Sequence, residues 1–313
     1  MHFLSQYGLF ALESLTLVIA ILLLVAGVLS LGRKPKNKDT VQIQSLDEHR
    51  DDIKHHIQKE ITGKKPEKKK KDKTTPPSCF VLNFKGDIMA SQVEQLRHEV
   101  SALLSVATEK DNVVVRLHSP GGSVNGYGLA AAQLQRIRDK NIPLTVCIDQ
   151  IAASGGYLMA CVANRIVAAP FSIIGSIGVV AQLPNFHRLL KKNNIDVELL
   201  TAGEYKRTLT VFGENTESGR KKFQQDLEKI HTIFRNYILT NRKQVDIEKV
   251  ATGEHWLAID AFGLGLVDVL QTSDDYLDEQ RETYKTYELT LYVKQPLSAK
   301  LLKPFMHLFH AWS

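Results

Sequence analysis

Apolar residues fall along this chain in three textures. From Leu15 to Leu31 they form an almost uninterrupted run, LTLVIAILLLVAGVLSL, which Leu9–Leu12 prolong past Glu13. That is close to the ~20 residues a helix needs to cross a bilayer, so the run predicts a membrane anchor over 9–31. The competing reading is a cleaved secretory signal. Against it, MHFLSQYG carries no Lys or Arg, and no small-x-small cleavage site follows the run. The second texture, 32–78, is polar and basic. Within it Leu46, Ile53, Ile57 and Ile61 recur at helical spacings, which predicts a short helix between Val41 and Ile61. Its end, GKKPEKKKKDKTTPP, has no means of forming a core. It reads either as a plain solvated tether or as one that lies on anionic lipid.

The third texture, 79–290, predicts one folded domain. CFVLNF (79–84), NVVVRL (112–117), LTVCI (144–148) and RIVAA (165–169) are short apolar runs of strand length. Between and after them, helical periodicity marks Ser91–Ala107, Leu129–Ile137, Tyr157–Val162, Phe186–Lys192 and a long stretch over Glu217–Lys243. VELL (197–200) continues the alternation as a further apolar run. Strands that are β-branched and unalternated, separated by helices, predict an α/β fold with a mostly parallel sheet covered on both faces. The tail, 291–313, is either a docking segment or an amphipathic membrane-surface segment.

Charge and cysteine content narrow the function classes. The net charge is +6, and between Arg33 and Lys73 14 Lys+Arg meet 8 Asp+Glu. The excess therefore belongs to the linker; the folded part is neutral and offers no electrostatic case for nucleic acid. The three cysteines, Cys79, Cys147 and Cys161, cannot complete a disulfide framework and match no zinc spacing. No metal site is expected.

Three glycine-containing turns follow predicted strands, where α/β folds place their sites. In His118-Ser119-Pro120-Gly121-Gly122-Ser123, paired glycines leave backbone N–H groups able to approach a ligand. This suits an oxyanion hole, although by itself a plain turn is the favoured reading. In Ala152-Ala153-Ser154-Gly155-Gly156-Tyr157, a serine sits at a strand-to-helix junction, where free amides favour negative charge. Ser154 is thus either a nucleophile or a helix cap. Ile174-Gly175-Ser176-Ile177-Gly178 supplies a second hydroxyl. Further on, Ala202-Gly203-Glu204-Tyr205-Lys206-Arg207 contains a lysine that becomes a base only where a dry site holds it neutral near pH 7. Its alternative is an ordinary surface charge.

IDQIAASGGYLMA, HSPGGSV, GSIGV and GEYKR resemble the signal peptide peptidase A family of serine peptidases, in particular its SohB-type members with one catalytic domain. Ser154 and Lys206 are 52 residues apart, much as in short family members, and ATGEHWLA (251–258) and GLGLVD (263–268) fit the family's C-terminal pattern. The resemblance runs from about Cys79 to Asp268. It implies Ser154 as nucleophile, Lys206 as general base and Ser176 as the hydroxyl orienting the lysine. The amides of Gly121 or Gly122, with that of Gly155, would form the oxyanion hole. Such a Ser–Lys pair needs no cofactor. A His/Asp triad through His118 and Asp149 competes, but His118 follows a strand with apolar partners; structural or substrate-side roles are favoured for both. Tyr157 reads as packing.

The resemblance further implies a ClpP/crotonase-like fold of repeated β-β-α units and a homo-oligomeric ring in which a neighbouring subunit can supply the lysine. It implies signal-peptide-like or misfolded membrane-associated polypeptides as substrates, and a single-pass location in the bacterial inner membrane. Positive charges after the anchor (Arg33, Lys34, Lys36, Lys38) place the domain in the cytoplasm. Better-known family members work on the outer face, so the two expectations conflict. Two other classes stay open: an acyl-CoA enzyme of the crotonase type, indifferent to Ser154→Ala, and a non-proteolytic membrane scaffold.

Overall fold

The structure, a computed structural model, describes residues 8, 10, 12–21, 40–62 and 76–292. Residues 12–21 are helical (α1), and their apolar side chains, Leu15, Leu17 and Ile19 among them, are exposed. No helix among the described residues is long and apolar enough to cross a membrane. Of the anchor expected over 9–31, residues 9, 11 and 22–31 lie outside the described residues, as do the tether over 63–75 and the tail beyond Tyr292.

Val41–Leu291 forms one compact unit. Its main sheet contains, among the described residues, seven strands in the order β1 (Thr40–Ser45), β10 (Lys285–Tyr292), β2 (Ser78–Lys85), β3 (Asn112–His118), β4 (Leu144–Ile148), β6 (Arg165–Ala168) and β9 (Val269–Leu270). From β10 to β9 every pairing is parallel. Successive strand side chains alternate between faces. Leu82, Val113, Val115, Val146 and Ile148 accordingly face one core, with α3 (Val93–Leu104), α4 (Val124–Arg138) and α5 (Gly155–Ala160). Cys79, Val81, Val114, Cys147 and Val167 face a smaller second core under Tyr276 and Leu277 of α10 (Ser273–Gln280). Burial on both faces is why the strands read as unbroken apolar runs. The mixed α/β fold with a mostly parallel sheet is as the pattern predicted.

A second sheet of three short strands was not visible in the periodicity. β5 (Ile151–Ala153) lies parallel to β7 (Ile173–Gly175), and β7 antiparallel to β8 (His255–Leu257). α2 (Leu46–Thr62) covers most of the helix expected over Val41–Ile61, whose first five residues instead belong to β1; it is fixed to the domain by Asp47, which accepts from Arg281 Nε at 2.9 Å and from the Thr286 amide at 3.0 Å. α6 (His187–Lys192) stands where Phe186–Lys192 predicted it. VELL does not become a strand. Residues 197–200 are irregular and exposed, Leu200 to 90%, and no strand among the described residues pairs with them.

α7 (Glu217–Asn241) begins where the Thr216 hydroxyl accepts from the Gly219 amide, an N-cap. It stops where Arg242 turns inward. That guanidinium, 2% exposed, donates to both carboxylate oxygens of Asp268 at 2.7 Å and to the Gly265 carbonyl at 2.9 Å. Asp268 also accepts from the Ile166 amide, so one buried pair ties α7, the GLGLVD turn and β6 together.

Candidate active site

Ser154 occupies the corner between β5 and α5 with φ 52° and ψ −117°. Those are the angles of the first corner of a type II′ turn, a conformation suited to glycine and strained for a residue with a Cβ. Its surroundings hold it there. The Ser154 amide donates to the Gly175 carbonyl at 2.7 Å, and its carbonyl accepts from the Leu158 amide at 2.9 Å. Ser176 has a positive φ as well, 53°, with its amide held by the Glu254 carbonyl at 2.6 Å. Ser154 and Ser176 line one cavity of about 460 Å³, walled also by Val179, Val180 and residues of α7.

The SPGG turn is pinned beside Ser154 by main-chain bonds. The Ser119 amide donates to the Ile151 carbonyl at 2.8 Å, and the Ala153 amide donates to the Ser119 carbonyl at 3.0 Å. Gly121, at φ 88°, is so close that a Cβ there would lie 2.7 Å from the Ala153 carbonyl oxygen and 2.8 Å from the Gly155 nitrogen. The two glycine turns therefore back directly onto one another. The Gly121 amide is already engaged, donating to Ser119 Oγ at 3.1 Å. The amides of Gly122 and of Gly155, the first residue of α5, take no acceptor among the described residues.

Beneath these turns runs a relay that sequence reasoning missed. Ser119 Oγ donates to Tyr127 Oη at 2.6 Å, and Tyr127 Oη donates to the Asp87 carbonyl at 2.8 Å. Both residues are fully buried, and burial pushes the Tyr127 phenol above its ordinary value. The phenol thus stays a neutral link. The available signal was Tyr127, an aromatic with a polar tip on the buried face of α4.

His118 and Asp149 do not join Ser154. They line a separate cavity of about 330 Å³ at the carboxyl ends of β2–β4. The Asp149 carboxylate accepts from the Ser273 amide at 2.8 Å and its hydroxyl at 2.5 Å. Tyr157 is buried, its hydroxyl donating to the Leu266 carbonyl at 3.0 Å. All three cysteines are buried, and burial pushes the Cys79 and Cys161 thiols up to about 12.

Lys206 is the residue the single chain does not bring in. It is exposed, on a turn where its amide reaches the Gly203 carbonyl at 3.2 Å, and it does not line the Ser154 cavity. In its place the cavity holds His231 of α7, which the sequence reading passed over. The available signal was the polar stripe Gln224, Glu228, His231 at helical spacing.

Residues 136–286 match peptidase family S49, and residues 2–134 match the N-terminal part of that family. The chain belongs to peptidase family S49. It is 46% identical to a Haemophilus influenzae protein named "Probable protease SohB", over 96% of this chain and 92% of that one. It is also 46% identical to a protein of the same name from Buchnera aphidicola subsp. Schlechtendalia chinensis, over 88% of this chain and 99% of the relative. Among solved structures, a "1510-N membrane-bound stomatin-specific protease" variant with a bound substrate peptide overlaps 74% of this chain and 99% of its own length, at TM-score 0.43 and 15% identity. The chain is thus a protease of the SohB type, and its substrates are peptides or proteins.

Proposed function

We propose that this peptidase cleaves through Ser154 as nucleophile, with Lys206 as its general base, Ser176 orienting that base, and the amides of Gly122 and Gly155 receiving the oxyanion. The observation that carries the reading is the backbone of Ser154: a strained corner at a helix start, in one cavity with a second serine. Neutral Lys206 takes the Ser154 proton, and the alkoxide attacks the peptide carbonyl. The tetrahedral oxyanion is held by the uncovered amides as the leaving amine takes the proton back. Gly121 serves in this reading as the close-packed support of the turn, its amide being taken by Ser119.

A base near neutral pH has to be dry, and Lys206 is exposed in one chain. The segment around it carries an apolar surface that also wants cover: Val180, Leu183, Phe186, Leu189, Leu200, Tyr205 and Phe212 are all exposed, Val180 and Leu200 to 90%. We infer that a second copy seats on this strip, as in a homo-oligomeric ring of the ClpP/crotonase type, so that one association event covers the strip and desolvates a lysine. Anchoring in a bacterial inner membrane through residues 9–31 belongs to the same reading, with signal-peptide-like or misfolded membrane-associated polypeptides as substrates. Cys79 is buried and unsuited to report sidedness. Phe171→Cys, at a position 77% exposed, labelled with an impermeant thiol reagent in spheroplasts, reports which face carries the domain.

The test is peptide cleavage by wild type, Ser154→Ala and Lys206→Ala in the full-length protein. Loss in both variants, with a fluorophosphonate labelling Ser154 in wild type, is expected. Cleavage surviving in Ser154→Ala refutes the nucleophile; cleavage surviving only in Lys206→Ala refutes the base.

A further inference from the structure

One buried side chain lies under both of the amides to which the oxyanion is given. The Tyr127 ring sits directly beneath Gly155, where a Cβ would strike it. Its hydroxyl reaches the other turn through Ser119. The direction of that chain is fixed at its far end, because the Asp87 carbonyl can only accept. Tyr127 Oη therefore commits its proton there at 2.8 Å, and Ser119 Oγ commits its own to Tyr127 Oη at 2.6 Å. What remains for the Gly121 amide is a lone pair of Ser119 Oγ, at 3.1 Å. On the far side of Gly122, the Ser123 amide donates to the Ile88 carbonyl at 2.7 Å. Asp87 and Ile88 are consecutive, so one loop anchors both flanks of the turn. Gly122 is held between two engaged amides while its own takes no acceptor among the described residues. A glycine pair has no Cβ to restrict it, so the aim of that open amide depends on these pins.

We propose that Tyr127 is a positioning residue for the reaction: through Ser119 it withdraws the Gly121 amide from the site and aims the Gly122 amide at the oxyanion. The inference rests on Ser154 being the nucleophile and on the oxyanion lying between the two glycine turns. Tyr127 touches no substrate and exchanges no proton with it.

The experiment measures kcat and KM for a peptide substrate, and the rate at which a fluorophosphonate labels Ser154, in full-length wild type, Tyr127→Phe, Ser119→Ala and the double variant. The phosphoryl oxygen of the probe takes the place of the oxyanion, so labelling reads the same donors. Tyr127→Phe is expected to lower kcat about tenfold at unchanged KM, less than the ~10²–10³ that follows complete loss of an oxyanion donor. Labelling slows by the same factor. Ser119→Ala shows the same loss, and the double variant loses no more than either single one, because both cut one chain. Asp268→Asn, which removes a buried partner of Arg242 at the GLGLVD turn, is the control for general loosening and keeps wild-type kcat and labelling. Circular dichroism at the assay temperature reports that each variant is folded; Ser119→Ala carries the test alone where Tyr127→Phe does not fold. Unchanged kcat in the single variants, a rise in KM at constant kcat, losses that multiply in the double variant, or an equal loss of kcat in Asp268→Asn would each overturn the proposal. Cleavage that persists in Ser154→Ala instead defeats the underlying reading. Cleavage lost in Ser154→Ala but at wild-type kcat in Tyr127→Phe and Ser119→Ala defeats this inference alone.

Discussion

Replacing Ser154 by glycine should make the protein inactive and more stable at once. A non-glycine residue at φ 52°, ψ −117° carries strain of about 1–3 kcal/mol. Glycine removes the Cβ that causes it, while giving back about 0.5–1 kcal/mol through the larger conformational freedom of the unfolded chain. The difference, about 1 kcal/mol in favour of Ser154→Gly, corresponds to a rise in Tm of about 2–4 °C for a unit of this size. Ser154→Ala is the control: it should be equally inactive under the proposed mechanism, keeps the Cβ and therefore keeps the strain. The Ser154 hydroxyl makes no hydrogen bond among the described residues, so the Ala variant should melt within about 0.5 kcal/mol of wild type. Thermal unfolding of the three full-length proteins under one solvent condition gives the comparison. Ser154→Gly melting at or below Ser154→Ala would show that the corner is relaxed, and would remove the backbone argument for a nucleophile there.

Two further outcomes follow from buried charge. Asp268→Asn leaves the Arg242 guanidinium buried with half its partnership gone and should cost about 3 kcal/mol; urea unfolding should show a lower midpoint at unchanged slope, and no loss of stability would refute it. Glu99 is 1% exposed, accepts from Gln95 Nε2 and the Leu291 amide at 2.8 Å each, and has a second oxygen without a partner. Burial raises its carboxyl above the ordinary 4.5, so the folded state holds this proton more tightly than the unfolded state, and stability falls as pH rises from 4.5 through the raised value. Glu99→Gln should therefore match wild type at the acid end and exceed it at pH 8; an equal difference at both ends in a pH series of unfolding curves would refute the assignment.

What the sequence disclosed depended on how each element is buried. β2, β3, β4 and β6 announced themselves because parallel strands covered on both faces are apolar throughout. β5, β7 and β8 are three residues each, too short for any period to register, yet they carry the corners at Ser154 and Ser176. The first turn of α4 was hidden by Gly126 and Gly128. Gly126 is there for contact, since a Cβ on it would lie 2.9 Å from the Met89 carbonyl oxygen. Ser154 and Ser176 were legible as turn serines in a spaced pattern, and the cavity holds both. The exposure of Lys206 was not legible either, because the exposed apolar residues of 180–212 around it look in a lone sequence like one more piece of core.

The relay from Gly121 through Ser119 and Tyr127 to Asp87 also explains why the HSPGG and ASGGY motifs come as a set. A Cβ on Gly86 would strike Ser119 Oγ and Tyr127 Oη; on Gly155 it would strike the Tyr127 ring; on Gly156 it would lie 2.6 Å from the Ser119 carbonyl oxygen. Glycine at these three positions is required by contact, since none of them has a positive φ. Gly121, by contrast, combines contact with a left-handed backbone, as does Gly175, where a Cβ would lie 2.7 Å from the Trp256 ring. Three missing side chains thus let one buried serine and one buried tyrosine sit directly under both turns. The serine fixes the Gly121 amide, which leaves the next amide, that of Gly122, as the open donor of the turn. Neither motif defines a site alone: the Ser154 corner is held by Gly175 and backed by Gly121, and Gly121 is held by the residue that pairs with β5. A change in either turn is transmitted to the other through main-chain bonds of 2.8 and 3.0 Å, a geometry suited to the oxyanion hole and nucleophile proposed for these two turns.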